Sequence, residues 1–140
     1  MSHDLSQLIT YLQEHGQNIT APRRAVFTAL QNSDPLTMAE LEKRCPGVDR
    51  SSVYRTVMLF ERLGVVQRLS IGWKYKLELS DIFQGHHHHL TCQACGKHIE
   101  ITEDVSLEAQ LQALAAAHDF TLKSHQLELF GLCSDCSPRA

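Results

Sequence analysis

Four of the five cysteines in this 140-residue chain stand in two matched pairs, Cys92-Gln93-Ala94-Cys95 and Cys133-Ser134-Asp135-Cys136. A Cys-x-x-Cys turn brings two thiolates to one side of the chain, and two such turns complete the tetrahedral four-sulfur set that favours zinc. Disulfides or a thioredoxin-like redox pair are the competing readings. They fit less well, because the pairs are matched and the N-terminus shows no charged start followed by a greasy stretch. Thirty-seven residues, 96 to 132, separate the pairs. The expected structural zinc therefore ties the end of the chain back to the start of its domain and contributes folding free energy there. Cys45 is left over and, just ahead of Pro46, reads as a small half-buried residue.

His86, His87, His88 and His89 stand directly ahead of the first pair. On an extended backbone alternate residues face opposite sides, so His86 and His88 can serve one metal and His87 and His89 another. An affinity tag or a solvated polar run would be the bland account, but tags are usually terminal and this run abuts a zinc knuckle. Glu108, on an expected helix, and His125, on an expected strand, can complete a site. Imidazole suits zinc, ferrous iron, manganese, nickel and copper, so the histidines alone do not name the ion. His98 is a further ligand candidate, against the plainer reading of an edge-strand surface residue.

A second chemistry is offered by Arg50-Ser51-Ser52-Val53-Tyr54-Arg55-Thr56. From a helix N-terminus, Arg50, Ser51, Ser52, Tyr54, Arg55 and Thr56 can reach phosphates or base edges of DNA. The alternative is a solvated helix face with Val53 and Val57 packing inward. Arg23 and Arg24 beside Pro22, and Arg68, Trp73 and Lys74 further on, are candidate backbone contacts.

The elements that must position these groups follow from spacing. Leu5, Leu8, Ile9 and Leu12 predict a helix stopped by Gly16, and Thr20-Ala21-Pro22 opens a second one carrying Val26, Phe27 and Leu30. Thr37 and Glu40 have capping-box spacing for a short third helix, broken at Cys45-Pro46-Gly47. Asp49 or Ser51 caps a fourth, with Val53, Val57, Phe60 and Leu63 as its apolar stripe up to Gly64. Two strands then form a hairpin about Gly72, the second running from Trp73 to Leu79. Three helices and a hairpin have the layout of a winged helix. Beyond a hinge at residues 80–85 a strand is expected over 97–101, a helix over 106–118 and a strand over 121–130. The predicted class is α+β, with a winged helix-turn-helix domain at 1–83 and a small α/β domain at 84–140 stapled by the four-cysteine zinc.

Composition agrees with two ordinary globular units. Hydrophobic residues make up 43% and charged residues 21% of the chain. The net charge of −3 is uneven: residues 1–80 carry ten Lys or Arg against eight Asp or Glu, and residues 81–140 three against eight. A weakly basic front half is compatible with nucleic acid. No apolar run approaches the roughly 20 residues that span a bilayer, so a cytoplasmic protein without a membrane partner is expected. A four-thiolate site has no open position, and no nucleophile or base can be named, which argues against an enzyme with a small-molecule substrate.

The run His-His-His-His-Leu-Thr-Cys-Gln-Ala-Cys-Gly-Lys-His-Ile-Glu at 86–100 resembles the signature of the ferric uptake regulator (Fur) family. Thr20-Ala21-Pro22-Arg23, Ser52-Val53-Tyr54-Arg55 and Leu129-Phe130-Gly131-Leu132-Cys133 are similar to other pieces of that family, in the right order. The resemblance implies a homodimeric repressor that binds palindromic operator DNA when a regulatory metal is present, in a Fur-like or zinc-uptake-regulator-like branch. It puts structural zinc on Cys92, Cys95, Cys133 and Cys136, and one regulatory metal, Zn2+ or Fe2+ with Mn2+ possible, on His86, His88, Glu108 and His125. A second regulatory site would use His87 and His89 with Glu78 and Glu100. The segment Ser33 to Met38 supplies no histidine and the region near Glu78 no cysteine, where iron and zinc sensors respectively often carry them, so the metal stays open. A peroxide sensor of the same family, or a metal storage or delivery protein that does not bind DNA, are the rival expectations.

Overall fold

The computed structural model describes residues 2–71 and 73–138; the Gly72 turn expected in the hairpin lies outside them. The chain divides into two compact units, Met1–Gln84 and Gly85–Ala140.

The first unit contains α1 (Ser2–Glu14), α2 (Ala21–Leu30), α3 (Met38–Lys43), α4 (Arg50–Leu63), β1 (Val66–Ile71) and β2 (Lys74–Leu79). Each helix start after the first has a side chain that satisfies an orphan backbone donor. The Thr20 hydroxyl accepts from Arg23 N, Thr37 and Glu40 form the expected capping box, and Asp49 rather than Ser51 caps α4 by accepting from Ser52 N. Gly64 ends α4 in the left-handed region at φ 79°, which a side chain would strain. The chain then reverses into the antiparallel β1–β2 hairpin, Val66 opposite Leu79.

One pairing was invisible in the pattern. Leu36, just ahead of α3, bridges to Leu77 with N–H···O contacts of 2.9 and 2.6 Å in the two directions, which anchors the wing to the helices. Around it lies one core containing Leu8, Leu12, Val26, Phe27, Leu30, Leu41, Val53, Val57, Phe60, Leu77 and Leu79. Cys45 belongs to this core as well, so it is buried and not half-buried, and desolvation pushes its thiol up. The Tyr11 hydroxyl donates to Leu63 O at 2.6 Å, pinning α1 to the end of α4.

The second unit runs β3 (His87–Cys92), β4 (His98–Thr102), α5 (Val105–Ala117) and β5 (Glu128–Gly131). Its sheet has the order β4-β3-β5, with β3–β4 antiparallel and β3–β5 parallel. The parallel pair requires a crossover, which α5 supplies. The strand expected over 121–130 is shorter: residues 121–127 have no regular structure, and pairing starts only where Glu128 meets His89. His125 therefore sits in the approach to β5, not on it. None of the described residues of α5 is buried, and Leu90, Ile99, Leu129 and Leu114 are all exposed.

Candidate metal centres and nucleic-acid interface

The sheet of the second unit builds the sulfur group. Cys92 ends β3 and Cys133 follows β5, so the β3–β5 pairing that puts Cys92 opposite Gly131 brings the two knuckles together. Within each knuckle a tight turn closes, Gly96 N–H donating to Cys92 O and Cys136 N–H to Cys133 O. The four Sγ atoms all lie within 4.8 Å of one another. Zinc–sulfur bonds of about 2.3 Å in a tetrahedron set neighbouring sulfurs about 3.8 Å apart; Cys95 Sγ and Cys133 Sγ are 3.7 Å apart. The backbone N–H groups of Cys133 and Cys95 pull the Cys92 thiol down to about 6. Hydrogen bonds with the Cys133, Cys95 and Cys92 side chains push Cys136 up to about 12. Four thiolates cannot ionise side by side without a cation among them, and the donor set fits zinc.

The second group is made of nitrogen and oxygen. His86 precedes β3, His88 lies on it, Glu108 is on the first turn of α5, and His125 comes from the irregular approach to β5. Glu108 is the hub: its Oε1 is 2.9 Å from both His86 Nε2 and His125 Nε2, and its Oε2 is 2.7 Å from His88 Nε2. His86 Nε2 and His125 Nε2 are 3.0 Å apart. Adjacent ligands of one ion, with metal–ligand bonds of about 2.0–2.2 Å, lie about 2.8–3.6 Å apart, so the four side chains, at or just inside that spacing, can gather about a single divalent cation. Burial opposes ionisation of Glu108, but the hydrogen bond from His88 and the charges of His125, His86 and His88 outweigh it, and its carboxyl lies below its ordinary value.

His87 and His89 point to the other face of β3, their ring centroids 4.6 Å apart. His87 Nδ1 is 2.7 Å from Gly85 O and His89 Nδ1 is 2.8 Å from Glu128 Oε2. Such ties fix ring orientation, as they do behind a metal-binding histidine, with Nε2 as the atom that could coordinate an ion. Glu128 is a residue that sequence reasoning missed; its place follows from the parallel register, a nonlocal pairing with no local signal. Glu100 lies opposite His89 on β4 and is exposed. Glu78 is buried on β2 in the first unit, where Gln67 Nε2 donates to it at 2.6 Å.

At the start of α4, Arg50, Ser51, Tyr54 and Arg55 are exposed. The Ser51 and Ser52 hydroxyls donate to Asp49 at 2.6 and 2.7 Å, and Arg55 donates to Ser52 Oγ at 3.2 Å, so the helix start is held by its own cap. Arg50 also pairs with Glu42. Thr56 differs from expectation: it is 6% exposed and forms the floor of a notch whose rim includes Arg23, Ser52, Arg55 and Arg62. Arg62 was not foreseen. Lys74 is exposed beside Trp73, whereas Arg68 is taken up by Glu61 and stacks over the Tyr75 ring.

A winged helix-turn-helix together with a sheet that gathers four thiols and a separate imidazole–carboxylate group defines the class, a metalloregulator. The sequence profile of the Ferric uptake regulator family matches residues 14–130. The ferric uptake regulation protein of Escherichia coli K12 is 35% identical over 133 residues, covering 90% of this chain and 88% of that protein. Among solved structures, the Vibrio cholerae ferric uptake regulator is 32% identical with a TM-score of 0.70, covering 87% of this chain and 96% of that one. A zinc-bound manganese uptake regulator is also 32% identical, with a TM-score of 0.63 and coverage of 89% and 96%. The chain belongs to the ferric uptake regulator family.

Proposed function

We propose that this chain is a homodimeric repressor that binds palindromic operator DNA when a regulatory divalent metal occupies His86, His88, Glu108 and His125. The observation that carries the reading is the convergence of three Nε2 atoms on one carboxylate, in the same unit as a separate four-thiol group. The two groups differ in kind. A closed four-thiolate zinc site is a staple with no open position, so zinc at Cys92, Cys95, Cys133 and Cys136 is permanent. Three imidazoles and a carboxylate suit Zn2+ or Fe2+, with Mn2+ a third candidate, and release the ion more readily. His87 and His89 form a second regulatory pair, with Glu100 opposite on β4; the family resemblance adds Glu78.

Residues 1–83 are the DNA-binding domain and 84–140 the metal-binding dimerisation domain. Helix α4 enters the major groove, where Tyr54 and Arg55 read bases, while Arg23, Arg50, Ser51, Ser52 and Lys74 position the backbone. Thr56, being buried, supports the helix from beneath. The apolar residues left exposed on the second unit, Leu90, Ile99, Leu129 and Leu114, are covered by a second copy, and a two-fold dimer matches a palindrome. Metal acts by favouring the arrangement in which both winged helices meet successive half-sites. No described helix is long and apolar enough to cross a membrane.

The test is a gel shift at fixed salt against DNA from the protein's own promoter region, with the regulatory metal stripped and the cysteine zinc retained. Affinity should fall on stripping and return when Zn2+, Fe2+ or Mn2+ is added back. Equal affinity in both states would remove the switch, and no binding in either would favour storage or delivery of metal.

A further inference from the structure

The notch between the start of α2 and the flank of α4 carries charge of one sign. Arg23 enters it from α2, Arg55 and Arg62 from α4, and Thr56 forms its floor; among the described residues no Asp or Glu lines this cavity of about 330 Å3. On α4 the lining residues Ser52, Arg55, Leu59 and Arg62 recur every three or four positions and so share one face. Ten steps of 1.5 Å carry that face about 15 Å along the helix. A cleft walled by one sign of charge concentrates ions of the other.

Two observations set the notch apart from an ordinary solvated basic face. Arg50 and Arg68 of the same unit are paired with Glu42 and Glu61, whereas Arg62 has no carboxylate partner among the described residues. Thr56 is only 6% exposed, yet its hydroxyl has no hydrogen-bond partner among the described residues. A buried hydroxyl without a partner is costly, and what it lacks among guanidinium donors is an acceptor. Arg23 is already oriented: its backbone N–H donates to the Thr20 hydroxyl and its Nη1 to Asn18 O at 2.6 Å. The first turn of α2 contains no acid, so the positive end of its backbone dipole acts in the same direction.

We propose that this notch seats one phosphate of the DNA strand read by α4, with Arg23 and Arg62 as its guanidinium contacts and the Thr56 hydroxyl as a donor from the floor. The proposal rests on the reading of α4 as the recognition helix. Ser52 and Arg55 belong both to the helix start and to the notch, so the strand whose bases face Tyr54 and Arg55 leads its backbone into it. Arg62 stands seven residues beyond Arg55, about 10 Å along the helix, and meets a phosphate outside the bases being read. Its contact therefore sets affinity and register and leaves base choice alone. Guanidinium matches phosphate through paired hydrogen bonds as well as charge.

The experiment measures binding of the metal-loaded, full-length protein to DNA from its own promoter region at salt from about 50 to about 200 mM. Wild type is compared with Arg62→Gln, Arg62→Lys and Thr56→Val, and the series is repeated on DNA whose phosphates have been randomly ethylated. For Arg62→Gln the expected salt slope is smaller by about 0.9, so its deficit against wild type is about 3.5-fold larger at the low-salt end than at the high. One phosphate per half-site whose ethylation blocks the wild type should no longer matter to that variant. Arg62→Lys restores the slope, and Thr56→Val weakens binding with the slope unchanged. Slope and interference both unchanged in Arg62→Gln overturn the proposal, while wild-type binding leaves the reading of α4 standing. A wild-type protein that binds this DNA at no salt concentration overturns both. Inorganic phosphate bound saturably by phosphorus NMR and lost in Arg62→Gln, with DNA slope and interference unchanged, overturns the DNA source and gives the notch to free phosphate.

Discussion

Replacing Glu108 with Gln isolates the hub of the proposed regulatory centre. Its carboxylate is within 2.9 Å of three imidazoles, and the side chain is 17% exposed. The amide keeps the volume but loses the charge and one of two oxygen ligands. Removing a partner outside the ligand set typically weakens metal binding 10–100-fold, so losing this ligand should cost at least about 100-fold, or about 2.8 kcal/mol. The consequence for stability is calculable. With free metal about 100 times above the wild-type Kd, binding stabilises the wild-type protein by about 2.7 kcal/mol, whereas the variant gains about 0.4 kcal/mol. Competition with a chromophoric chelator gives Kd directly, and a thermal melt with and without metal gives the stabilisation. Both are measured on protein whose cysteine zinc is in place. A variant Kd within threefold of wild type would show that Glu108 is a hydrogen-bond partner of the histidines and no ligand, and the site would have to be redrawn.

Other outcomes follow from the same structure. Stripping the cysteine zinc with a strong chelator should unfold the second unit while circular dichroism still reports the helices of the first, because the knuckles join β3 to the chain beyond β5. Phe60→Ala, at a fully buried core position, should lower stability by about 3–5 kcal/mol, read from denaturant midpoints. Ser51 and Ser52 hold the Asp49 carboxyl down to about 2 from 3.8. Since the folded value is the lower one, this stabilisation is complete above about pH 4 and lost as pH falls to about 2; Asp49→Asn should flatten that acid limb in urea midpoints taken across pH. Arg55→Ala should cost operator binding about 1–3 kcal/mol and relax base preference, whereas Arg23→Ala should lower the salt slope of binding by about 1 with little change in preference.

The sequence carried whatever depends on local spacing. The helix caps at Thr20, Thr37 and Asp49 sit where residue types require them, and the alternation of the histidine run separates His86 and His88 from His87 and His89 before any fold is known. Both cysteine pairs declare themselves in the same way. What could not be read was set by pairings distant in the chain. The Leu36–Leu77 bridge and the His89–Glu128 register leave no mark on nearby residues. His125 looked like a strand residue because residues 121–130 mix apolar and polar types, but a strand needs a partner, and β3 offers one only from Glu128 onward. Thr56 looked like a surface residue beside Arg55, yet on a helix the adjacent position is turned by about 100°, and Thr56 is buried where Arg55 is exposed.

Because coupling between two ligands is reciprocal, the central claim can be tested from the metal side. The measurement is the affinity of the His86–His88–Glu108–His125 centre for its metal, taken on the protein with its cysteine site loaded with zinc, with and without saturating operator DNA. The account predicts that DNA tightens metal binding by the same factor by which metal tightens DNA binding, about 5–150-fold for couplings of ordinary size. A metal affinity that DNA leaves unchanged would contradict it.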